Sequence, residues 1–115
     1  MAKKNEFAPC HLVEHEDGSF SLVFDDFDST GVIFEEMDQE SGGYGWHGVV
    51  DALVRMKAPK LKRKLDYDPE ASMFVALSKD KDALKQVAEL IRNAVNDPEL
   101  LKQAIKKADP EIMEG

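Results

Sequence analysis

Between Asn5 and Val54 the chain has no lysine or arginine, while the same stretch holds twelve carboxylates. From Arg55 to Gly115 the charges nearly balance, with thirteen Lys and Arg against eleven acids, so the formal net charge of −8 comes from the first half. A field of that sign repels a phosphate backbone, which sets direct nucleic-acid binding aside and favours a protein partner with a basic face. Cysteine is almost absent: Cys10 is the single one. It can form no internal disulfide and reads as a small buried or half-buried thiol on a strand.

Long apolar runs are missing too. None approaches the roughly 18 to 20 residues needed to cross a bilayer. The start, "MAKKNEFAPC", has two lysines but no apolar segment behind them. The expectation is a soluble cytoplasmic protein without a secretory signal or membrane contact. Repeats, low-complexity segments and composition breaks are also lacking. At 115 residues the chain is expected to form one domain, 1–115, with frayed ends at about 1–5 and 109–115.

What is present is clear periodicity. Asp17-Gly18 is a strong turn signal after a mixed stretch from Phe7 to Glu16, and Ser19 to Phe24 alternates, so a β-hairpin is expected with Phe20, Leu22 and Phe24 on one face. Asp25, Asp26 and Asp28 end the strand. Ser29 or Thr30 could cap a short helix carrying Ile33, Phe34 and Met37 on one side, although Val32 to Phe34 would also suit a strand. After the glycines at 42–45, a helix from Trp46 to Met56 is expected, stopped by Ala58-Pro59. "LKRKLDY", from Leu61 to Tyr67, alternates and predicts an edge strand; "DPEAS" predicts a turn and "MFVALS" a more central strand. A helix over Lys81–Asn96, capped by Ser78 or Asp80, and a last one from Asp97-Pro98 to Ala108 complete the chain. The class is α+β: an antiparallel sheet of about four strands with two to four helices packed mainly on one face.

Three constellations could carry chemistry. Gly43, Gly45 and Gly48 spell GxGxxG, but the lysine and hydroxyl of a P-loop are missing, the preceding segment is acidic, and Tyr44 and Trp46 crowd the loop. The glycines read instead as positions of positive φ that let Tyr44 or Trp46 fold onto the core. His11 and His15, on one strand face, would stand about 13 Å apart at roughly 3.3 Å per residue, too far to share a zinc ion. His47 lies in another element, nothing marks an activated serine, and EF-hand spacing is absent among the acids. No catalytic residue, metal or cofactor is expected. The remaining cluster is Asp25, Asp26, Asp28, Glu35, Glu36, Asp38 and Glu40 beside Tyr44. It reads either as a solvated acidic rim or as a partner-binding surface, in which carboxylates pair with cations and an aromatic supplies the anchor.

"GGYGW" followed by "YDPEASMFVALSKDKDALKQVAELI" resembles the immunity protein 51 family of bacterial polymorphic-toxin systems, over about Gly18 to Ile91. The residues that carry the resemblance are Gly43, Tyr44, Trp46, Tyr67, Asp68, Pro69, Glu70, Met73 and Phe74. It implies a small non-enzymatic cytoplasmic protein that binds and neutralises a cognate toxin, with the Tyr/Trp and Asp-Pro-Glu residues shaping the fold. A nuclease would suit the acidic half, since its cleft is cationic. Two other readings stay open: a small-molecule-binding or enzymatic α+β domain using the Gly42–Gly48 loop, and an oligomerisation or adaptor module. The oligomeric state is left open by the sequence.

Overall fold

A computed structural model describes residues 6–114. The expected fraying at 1–5, and at 115, falls outside those residues. The strands are β1 (His11–Glu14), β2 (Phe20–Phe24), β3 (Asp66–Tyr67) and β4 (Phe74–Ser78). They form one antiparallel sheet in the order β1-β2-β4-β3. The class is α+β, with more helix than expected: α1 (Gly31–Glu36), α2 (Gly43–Lys57), α3 (Lys81–Asn96), α4 (Pro98–Lys107) and α5 (Pro110–Glu114), plus 3-10 segments at Asp28–Thr30 and Pro59–Lys64.

The first hairpin forms as its letters require. Gly18 takes φ 87°, and Asp17 Oδ1 accepts from the Ser19 N–H at 3.0 Å. Register sets Leu22 opposite Ala76 and Phe24 opposite Phe74, so these side chains share the face that α2 and α3 cover. On the other face Val13 is exposed, and Val23, Val75 and Leu77 are only half-buried. β4 is central, as its near-continuous apolar run predicts.

The strand expected over Leu61–Tyr67 is corrected. Only Asp66–Tyr67 pairs, at the sheet edge, and Pro59–Lys64 coils into 3-10 turns. A strand would put Arg63 on the same face as Leu61 and Leu65 and bury its charge unpaired. The coil buries both leucines and leaves Lys60, Lys62, Arg63 and Lys64 in solvent. The C-terminal stretch expected to fray is described as far as residue 114. Residues 110–114 form α5, which packs on α2 where Gly48 leaves space for Met113.

The start of α2 departs most from the sequence reading. The helix begins at Gly43 rather than Trp46, and none of its glycines has positive φ; Gly42, the preceding residue, is fully extended at φ −163°. What Gly43 supplies is the lack of a Cβ. A methyl group there would run into the carbonyl oxygens of Glu70 and Met73, two backbone groups of the turn between β3 and β4. The Gly43 N–H, an orphan at a helix start, donates to Ala71 O at 3.1 Å. One turn on, Trp46 is fully buried between Phe24, edge-on at 4.8 Å between ring centroids, and Phe34 at 5.7 Å. Its Nε1 has no acceptor among the described residues.

The expected consequences separate two glycines. Gly43→Ala should cost about 3 kcal/mol, the upper end for overpacking, because backbone oxygens cannot rotate away. Gly31→Ala, in α1 with open space around it, should stabilise by about 0.5–1 kcal/mol. Trp46→Ala should cost roughly 3–5 kcal/mol, whereas Trp46→Phe, losing no hydrogen bond, should cost about 1–2 kcal/mol. Urea unfolding midpoints of the four variants check this order.

Candidate functional site

The end of helix α1 directs the segment that leads into α2. Asp38 adopts φ 59°, the Asp38 N–H donates to Glu35 O at 3.0 Å, and the Gln39 N–H donates to Phe34 O at 2.9 Å. This is a Schellman cap with aspartate where glycine is usual. The chain then crosses as a short ridge, Gln39–Glu40–Ser41. The Ser41 hydroxyl ties it down by donating to Phe27 O at 3.1 Å, and Gly45 accepts its other flank, since a Cβ there would clash with Glu40 O.

A cleft lies on each side of this ridge. One, of about 510 Å³, has Asp38, Glu40, Tyr44, Ala71, Met113 and Glu114 in its wall. The other, of about 610 Å³, is formed by Phe27, Asp28, Gly31, Val32 and Glu35 and shares the ridge residues. Five residues singled out from sequence are thereby brought together: Asp28, Glu35, Asp38, Glu40 and Tyr44. Asp25 and Asp26 are exposed at the end of β2 and line neither cleft. Glu36 turns away to pair with Lys102 of α4 at 3.4 Å. Sequence reasoning missed Phe27, Val32, Met113 and Glu114. Val32 had left a trace, being apolar yet off the Ile33-Phe34-Met37 stripe.

Most of the residues that carry the family resemblance meet at one joint, while Tyr44 lines the 510 Å³ cleft and Trp46 enters the core. Gly43 abuts Glu70 and Met73, which close the turn through paired backbone bonds of 2.8 and 3.1 Å, and the Asp68 N–H donates to Val75 O at 3.0 Å. Tyr67 lies 5.9 Å from Phe74 and 4.6 Å from the ring of His47 on α2, and Pro69 is half-buried beside them in sequence. Burial pushes the Tyr67 phenol up, with Asp51 adding to the shift. Burial also holds the His47 imidazole below its ordinary value, partly opposed by Asp51. Within the Gly42–Gly48 segment, Gly43 is closed off by Glu70 and Met73 and Gly48 by Met113 and Ala108, while Gly42, Tyr44 and Gly45 border the 510 Å³ cleft.

The other candidates stay apart. His15 Nε2 meets Ser21 Oγ at 2.6 Å, while His11 is exposed on the edge strand. No group of three or more His, Cys, Asp or Glu suited to a metal ion occurs among the described residues. Cys10 is buried just before β1, and desolvation pushes its thiol up to about 12, far from a reactive thiolate. No helix among the described residues is long and apolar enough to cross a membrane.

The architecture is thus an α+β fold with two clefts bordered by carboxylates. Residues 10–110 match the family model Immunity protein 51, and the chain belongs to that family. The match extends beyond the motif region at both ends. No curated protein and no solved structure matches the chain.

The His47–Tyr67 contact has a pH signature. Because the folded His47 resists protonation, stability is complete above its ordinary value of 6.5 and is lost as pH falls below it, where the unfolded chain takes up the proton first. His47→Phe keeps a ring against Tyr67 and removes the titration. In urea melts between pH 7.5 and 5 (roughly bracketing an ordinary histidine), wild type should lose stability more steeply than the variant.

Proposed function

We propose that this chain is a cytoplasmic immunity protein that binds and neutralises a cognate bacterial toxin, with the two clefts beside Gln39–Ser41 as its contact surface. Membership of the Immunity protein 51 family supports the first part. The observation that supports the second is the convergence of Asp28, Glu35, Asp38 and Glu40 with half-buried Tyr44 around one ridge, with none of these four acids in an ion pair among the described residues. Unpaired carboxylates on a fixed frame attract a basic partner and raise its association rate; an aromatic beside them supplies apolar contact area.

A toxin whose active cleft is cationic, as in a nuclease, fits this surface best, and the acids then stand where phosphates would. The role is stoichiometric inhibition rather than catalysis. The rival use of the Gly42–Gly48 segment as a ligand cradle is the weaker reading: Gly42 and Gly45 do border the 510 Å³ cleft, but Asp38, Glu40 and Glu114 share its wall and would repel an anionic cofactor, and the space at Gly43 and Gly48 is taken by backbone carbonyls and Met113.

Salt and two substitutions test the reading. Against a candidate toxin, the association rate should fall steeply between low and high ionic strength; a rate that ignores salt would remove electrostatic steering. Tyr44→Ala should weaken binding by about 1–3 kcal/mol, the range of an interface anchor. Asp38→Gly should raise the melting temperature, since glycine is at ease at φ 59°, and at the same time slow association. A variant that is more stable and binds as fast as wild type would strip Asp38 of a binding role.

A further inference from the structure

We infer that the cleft between α1 and the Gln39–Ser41 ridge receives an apolar side chain carried on a lysine- or arginine-bordered segment of the toxin, with Val32 and Phe27 as its seat. The inference rests on the immunity reading above and adds an anchor point to it. Val32 is 66% exposed, more than Val13 at 44%, the other large hydrophobic left in solvent. Lone apolar residues on a surface are ordinary. Val32 differs by position: it stands inside a cleft of about 610 Å³, next to half-buried Phe27, with Asp28, Glu35 and Glu40 around it. Hydrophobic contact at the centre and charge at the border is the arrangement that concentrates binding energy in an interface.

Charge selects the occupant. The same face of a second copy would bring carboxylates against carboxylates, and an anionic lipid surface would be repelled for the same reason. The chain's own basic strip, Lys57, Lys60, Lys62, Arg63 and Lys64, has the right sign. Its apolar residues Leu61 and Leu65 are only 5% and 8% exposed, however, so it has no free apolar tip to insert. The complement that remains is a foreign segment with cations flanking an exposed aliphatic or aromatic residue. Glu36 lies beyond the border, engaged with Lys102, so the segment meets the cleft from the Asp28–Glu35 side.

Binding kinetics with a candidate toxin, sought in the reading frame next to this gene, decide the matter. Val32→Ser should weaken binding at least tenfold, mostly through faster dissociation, with an unchanged melting temperature because the side chain supports no core contact. Val32→Leu should bind as well as wild type or better. Val13→Ser, on the opposite face of the sheet, should leave affinity unchanged. If wild type binds and Val32→Ser binds equally well, or if Val13→Ser weakens it to the same extent, the anchor is overturned while the immunity reading stands. If wild type neither binds nor neutralises that toxin, both fall. Sedimentation of the free protein at low salt covers the remaining occupant: self-association removed by Val32→Ser would make a second copy the partner and overturn the inference.

Discussion

The close approach of two backbones, at Gly43 and the Glu70–Met73 turn, fixes the rest of this molecule. A helix start brought this near to a turn can hydrogen-bond to it directly, as the Gly43 N–H does to Ala71 O. Any side chain at Gly43 would push the two apart. Because α2 is anchored at its first residue, its next turn is fixed in rotation, and Trp46 enters the core between Phe24 and Phe34. The ridge before the helix is placed by the same contact, since Gly42 and Gly45 set its distance from Ala71 and from Phe34. The clefts thus inherit their shape from a joint that lines only one of them, through Ala71. This explains how Gly43, which looks like part of a site by letter, can be indispensable while lining neither cleft.

Much of this was legible in the sequence, and the failures have a common cause. α3 and α4 follow from their apolar stripes and from Asp80 and Asp97, whose side chains accept from the first free N–H groups of each helix. β2 and β4 follow from alternation and from an apolar run. The glycines were misread because a glycine needed for φ and a glycine needed for want of a Cβ are the same letter. Only the turn at Glu70, distant in sequence, tells them apart. "LKRK" was misread because alternation was satisfied on paper while the burial of Arg63 was not. In the candidate site, acidity alone picked out Asp28, Glu35, Asp38 and Glu40. It could not tell them from Glu36, whose partner Lys102 lies in another helix, and hydrophobic periodicity assigned Val32 no role.

Charge is distributed with the same economy. Two arginines of the second half hold backbone carbonyls. Arg92 donates to Ala8 O and Glu6 O, both at 2.7 Å, and so ties the described start of the chain to α3. Arg55 donates to Lys107 O at 2.7 Å, completing the C-terminal end of α4, while it pairs with Asp51 on its own helix. The ion pairs that do cross between the halves, Lys81–Glu14, Lys85–Glu6 and Lys102–Glu36, are partly to largely exposed and include none of Gln39, Glu40 and Ser41. Exposed pairs of this kind stabilise little.

The carboxylates around the ridge are therefore left to repel one another on a rigid frame, and Asp38 adds a left-handed backbone that glycine would hold at less cost. Neither feature helps the isolated domain fold. Both become favourable once cations arrive, because each carboxylate then gains an opposite charge without further ordering of the chain. The proposed inhibition of a basic toxin would draw on this, because carboxylates already held in place need little further ordering when the partner arrives. The Gly43 joint, through the Gly43 N–H to Ala71 O bond, rather than the acids themselves, sets where the ridge stands.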